Sequence, residues 1–119
     1  MSFDESLVVQ VQEVLEPLGS VTMRKMMGGA TLYLNGIIFA ILEGADIWFK
    51  ADDETNSIWD CEGCERFSMT FKDGRVGTMN YRRAPTEVYD DPEVMQRWAQ
   101  LAHGAGIRSA ARKKPRGKD

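Results

Sequence analysis

The sequence predicts an α+β fold in two layers. It expects an antiparallel sheet of about five strands, a helix at each end of the chain, and one short helix between strands. Three observations carry this. Asn35-Gly36 stands between two apolar runs in "ATLYLNGIIFAIL", and both central residues of a type I′ turn need positive φ, so the stretch is a hairpin. Asp73-Gly74 stands between the alternating runs "FSMTF" and "VGTMNYRR", which makes a second hairpin. Near both termini, apolar residues recur at three- and four-residue spacing, the period of a helix with one buried face.

The elements follow in order. Leu7, Val11, Val14, Leu15 and Leu18 share one face of a first helix, with Ser2 or Asp4 as its cap. "EPLGS" ends it, because Pro17 disfavours helical backbone at Glu16 and Gly19 suits a left-handed turn. "SVTMRKMMGG" is β-rich at its start and closes on Gly28 and Gly29, which suit a strand corner or bulge. The Asn35-Gly36 hairpin comes next, then the turn "EGAD" and a further strand, "IWFK". In "ADDETNSIWDCEGC", Asp52 caps a short helix whose first turn carries Asp53 and Glu54 at the positive end of the dipole. The second hairpin follows. Asp91, Pro92 and Glu93 start the last helix, whose stripe is Val94, Met95, Trp98, Leu101 and Ala102, and Gly104 and Gly106 weaken it.

The 119 residues fit one domain, and no apolar run approaches the roughly 20 residues of a membrane span. The acidic start has no basic n-region of a secretory signal, so the expected location is the cytoplasm, with no membrane association. Charge is divided unevenly. From Arg108 onward, "RSAARKKPRGKD" holds six basic residues and one acid, whereas residues 1–107 hold nine basic residues against seventeen acids. The chain therefore divides into a domain over residues 1–107 and a basic, disordered tail over residues 108–119. Arg108, Arg112, Lys113, Lys114 and Arg116 of the tail are candidates for weak, sequence-independent contact with nucleic acid; a solubilising terminus is the competing reading.

Within the body, Arg24 and Lys25 precede a glycine turn whose amides could help hold an anion; a solvated sheet edge is the alternative. Arg82 and Arg83 end the last strand. Adjacent strand residues face opposite ways, so only one of them can share a surface with Arg24. The acids at Asp52, Asp53 and Glu54, and at Asp90, Asp91 and Glu93, open helices, where capping explains them without a metal. Trp48 and Trp98 are expected in the core and Trp59, on a thin helix, at its margin. His103, beside Gly104, is expected at a helix end, where its charge favours the dipole.

Cys61 and Cys64 form a CxxC, the one motif that would give this chain chemistry of its own. A redox pair belongs at a helix N-terminus, where the dipole lowers a thiol pKa. Here the pair falls at a helix C-terminal end among Asp60, Glu62 and Glu65, and His103 is the only histidine available to complete a zinc site. The expectation is two unreactive thiols, no metal and no cofactor.

"RKMMGGATLYLNGIIFAIL", "IWFKADDE" and "TMNYRRAPTEVYDDPEVMQRWA" together resemble, in order and spacing, the N-terminal domain of the TfoX (Sxy) family, over roughly residues 10 to 103. The Arg-Lys-Met-x-Gly-Gly stretch before the hairpin is the most specific part. The resemblance implies a two-layer α+β fold with an antiparallel sheet. Its namesakes are bacterial regulators of natural competence that act with the cyclic-AMP receptor protein at promoters of DNA-uptake genes. Those regulators carry a second domain of comparable size; here about a dozen mostly basic residues stand in its place, so a stand-alone single-domain protein is expected. The resulting expectation is a non-enzymatic regulatory or binding module linked to transcription regulation or DNA uptake, with a protein partner. Two alternatives remain: a small thiol-redox or ligand-binding protein using Cys61 and Cys64, and a structural homo-oligomer, such as a homodimer, formed through exposed strand edges.

Overall fold

The computed structural model describes residues 4–26, 29–70 and 72–113. Asp4 caps α1 (Glu5–Val14) by accepting from the Ser6 amide. Four strands follow: β1 (Val21–Met26), β2 (Gly29–Leu34), β3 (Ile37–Glu43) and β4 (Asp46–Lys50). Then come α2 (Asn56–Cys61), β5 (Arg66–Thr70), β6 (Val76–Arg83), a 3₁₀ turn over Thr86–Tyr89, and α3 (Pro92–Lys113).

The six strands form one antiparallel sheet in the order β1-β2-β3-β4-β6-β5. The expected class is thus correct, and both expected hairpins are present. Asn35 and Gly36 join β2 to β3 with φ of 53° and 84°, the left-handed pair that a type I′ turn requires. Asn35 does more than turn the chain: its side chain accepts from the Ser20 amide and donates to the Leu18 carbonyl, tying the end of the α1 segment to the hairpin. Of the two glycines before β2, Gly28 lies outside the described residues. Gly29 lies so close to the neighbouring strand that a Cβ there would sit 2.6 Å from the Leu42 carbonyl oxygen.

Helices cover one face of the sheet. Leu7, Val8 and Val11 of α1, Met95, Trp98, Ala99 and Ala102 of α3, and Trp59 of α2 pack on Leu32, Phe39, Leu42, Ile47 and Phe49. A register shift between β2 and β3 turns Phe39 and Ala40, adjacent in the chain, both into this core. The opposite face carries a smaller cluster, Ile41, Trp48, Phe67 and Tyr81, in which Phe67 meets Trp48 edge-on at 4.9 Å. Burial pushes the Tyr81 hydroxyl pKa up to about 12.

Four features differ from expectation. The short helix starts at Asn56, after Thr55, so Asp52, Asp53 and Glu54 precede it and its first turn carries no acid. Trp59 is fully buried, stacked on Phe49 with ring centres 5.8 Å apart and on Trp98 at 4.6 Å. Its helix is thin, but it sends this one residue into the core. The final helix does not weaken at Gly104 and Gly106; it runs on to Lys113, because packing on β3 outweighs the glycines' poor helix propensity. His103 is therefore an interior helix residue, not a terminal one.

Candidate functional site

The sheet register decides which basic residues share a face. Arg24, Thr31, Ile41, Trp48 and Arg83 are successive cross-strand partners from β1 to β6, so they share the face away from the helices. Arg24 and Arg83 are thus on one face, but four strand spacings apart, about 19 Å. They form no common patch. Arg83 is also engaged. It lies 4.5 Å over the Trp48 ring and pairs with Asp46 at 2.9 Å and Glu65 at 3.1 Å.

Arg82 belongs to the other row, Met23, Leu32, Ala40, Phe49 and Arg82, on the helix-covered face. It is 3% exposed and cannot reach nucleic acid, which corrects its place among the anion-binding candidates. A buried guanidinium needs partners, and α2 with the residues after it supplies them. Its Nη1 donates to Asp60 Oδ1 at 2.7 Å and to the Cys64 carbonyl at 3.0 Å, and Nη2 donates to Asn56 Oδ1 at 3.3 Å. Asp60 was legible only as part of an acidic surround; nothing local in the sequence pairs it with a strand residue 22 positions later.

Arg108 is a second correction. It lies on α3, inside the folded body, and clamps Asp52 with Nε at 2.6 Å and Nη2 at 3.1 Å, while Glu54 lies 3.4 Å away. Asp52 also accepts from the Thr55 amide while Thr55 Oγ1 accepts from the Asp52 amide, a reciprocal cap on the turn that leads into α2. One carboxylate thereby joins the end of β4, the start of α2 and the C-terminal half of α3. Its bond to Arg108 holds the Asp52 carboxyl below the usual carboxylate pKa. A carboxyl depressed on folding contributes stability above its unfolded pKa of about 4, and this is lost as pH falls through the folded value. Asp52→Asn should therefore lower stability by about 2 kcal/mol at neutral pH. The gap from the parent protein should narrow in urea unfolding carried out below pH of about 4.

Arg112 is exposed near the end of α3, beside a polar groove of about 400 Å³ lined by Lys50, Asp53, Glu54, Asn80 and Ser109. The side chain of Lys113, and all of Lys114 and Arg116, lie outside the described residues. Arg24 and Lys25 are exposed on β1, the outermost strand at one edge of the sheet.

The cysteines are split. Cys61 is exposed at the end of α2, and Cys64 is buried beside Arg82. Burial, reinforced by the charge of Glu62, pushes the Cys64 thiol pKa up, the opposite of what a thiolate nucleophile needs. Among the described residues, no group of three or more His, Cys, Asp or Glu side chains is arranged to hold a metal, and no helix is long and apolar enough to cross a membrane.

Fold and surface together define a small two-layer α+β domain in which one buried arginine, Arg82, and two partly exposed ones, Arg83 and Arg108, tie its own elements together. The profile of the TfoX N-terminal domain matches residues 13–106, nearly all of the folded body, and the chain belongs to that family. This is not a known enzyme family. No curated protein matches the sequence.

Proposed function

We propose that this chain is a non-catalytic regulatory module that works by docking on a protein partner, in the manner of the N-terminal domain of a competence regulator. It acts in the cytoplasm, in transcription regulation or DNA uptake. The observation that carries the reading is the fate of three of the strand and helix arginines. Arg82, Arg83 and Arg108 are all held by carboxylates of the chain itself, so these three form no basic patch free to meet DNA. Contact with nucleic acid is left to the last residues, with Lys114 and Arg116, as a non-specific, salt-sensitive supplement. The buried, raised thiol of Cys64 favours this reading over thiol-redox chemistry.

The test is fluorescence anisotropy with a labelled DNA duplex across a salt series, comparing the full chain with one ending at Lys113. That end point keeps the Arg108–Asp52 clamp, which a cut at Ile107 would destroy. The full chain should bind weakly, with a log–log salt slope steeper by about 2 than that of the shortened one. If the shortened chain binds the duplex as tightly as the full chain, the folded body contacts DNA and the reading is wrong.

A further inference from the structure

We propose that the outer edge of β1 captures an extended, acidic segment of a partner protein, which joins the sheet as a seventh strand. The proposal rests on the reading of the chain as a docking module and names the chemistry of what it docks.

The direction of the β1 backbone follows from two hydrogen bonds. The Asn35 amide donates to the Ser20 carbonyl at 2.9 Å, so that carbonyl faces β2. In an antiparallel ladder this orientation recurs every second residue. Thr22 and Arg24 therefore turn their backbone groups to β2, whereas Val21, Met23 and Lys25 turn theirs outward. The Val21 carbonyl agrees with this, since it accepts from Gln12 Nε2 on α1 at 3.1 Å. Gln12 marks where the open edge begins. Beyond it, Met23 and Lys25 each present an N–H and a C=O that no hydrogen bond reaches among the described residues. Such a row is a template for strand addition.

The side chains specify the occupant. Arg24 and Lys25 are exposed, and neither makes an ion pair among the described residues. Arg24 belongs to the row of Trp48 and Lys25 to the row of Ala30, Leu42 and Ile47, so the two cations flank the edge on opposite faces. Consecutive residues of an added strand also alternate faces, so two adjacent acids meet both cations at once. A second copy of β1 would instead line four cations along one strand pair. Charged edge residues deter indiscriminate pairing; the same charges select an acidic strand.

Recognition through main chain and charge makes a simple probe sufficient. The ¹⁵N-labelled full chain would be titrated with a short acetylated Thr/Val peptide carrying a central Glu-Glu pair. Shifts should concentrate on Val21–Met26, with the Met23 and Lys25 amides gaining protection from hydrogen exchange. A Gln-Gln version of the peptide, and Arg24→Glu in the protein, should each weaken binding about fivefold or more. Lys25→Pro removes an outward N–H and leaves the β1–β2 ladder intact. It should weaken binding about tenfold, clearly more than Lys25→Gln, which removes only the charge. Equal losses in the two variants would overturn strand addition in favour of simple charge attraction. An absence of shifts on β1, or self-association through β1 that Lys25→Pro abolishes, also overturns the proposal. Shifts confined to another surface overturn the β1 assignment alone and leave the docking-module reading standing.

Discussion

Gly106→Ala should destabilise the fold by about 2 kcal/mol or more, while the same change at Gly104 should leave it as stable or up to about 1 kcal/mol more stable. Both glycines lie in α3, and alanine is the better helix former at both. What separates them is the surface beneath. At Gly106 the helix rests directly on β3. A Cβ there would overlap the Ile38 carbonyl oxygen and sit 2.8 Å from Ile37 Cγ2. The obstacle is backbone in the middle of a sheet, so relief means moving the helix. At Gly104 the nearest atom is Nη1 of Arg108, 3.5 Å away at the end of a flexible side chain. Urea unfolding of the two variants side by side checks the contrast. Equal stability for Gly106→Ala would mean that α3 does not seat on β3 in this way.

Trp59→Ala should cost about 3–5 kcal/mol, a large share of the roughly 5–15 kcal/mol that holds such a domain together. Trp59 is wholly buried and stacked between Phe49 of the sheet and Trp98 of α3. Its removal takes away the residue through which α2 adheres to both. Because α2 also supplies Asp60 and Asn56 to the buried Arg82 guanidinium, loosening it weakens the contacts of a buried charge as well. Ile58, the preceding residue, is 42% exposed, and Ile58→Ala should change stability by no more than about 0.5 kcal/mol. Thermal unfolding should show a melting temperature lower by on the order of 15 °C for Trp59→Ala and little change for Ile58→Ala. A small effect at Trp59 would mean that α2 contributes little to the core.

Much of the fold was legible because its signals are local. Positive-φ turn chemistry at Asn35-Gly36, the Asp4 and Asp91 caps, Pro92 at the start of α3 and the alternation of β6 each depend on a few neighbouring residues. Alternation even announced that Arg82 and Arg83 would part ways. It could not say which of them would face the helices, because that depends on which face of the sheet α2 covers.

What escaped the sequence was every contact made at long range. The bulge that turns Phe39 and Ala40 to the same side, the burial of Trp59 on a helix of six residues, and the clamp between Asp52 and Arg108 have no local signature. The same holds for the basic residues from Arg108 onward. Composition marked them as a tail, yet Arg108 lies one side chain's reach from a buried carboxylate 56 positions earlier and is part of the body. Hydrophobic period and turn chemistry determined which elements form and roughly where. Only tertiary packing decided which charges they enclose and which they leave exposed, because an ion pair depends on distance in space, and the sequence sets distance along the chain alone.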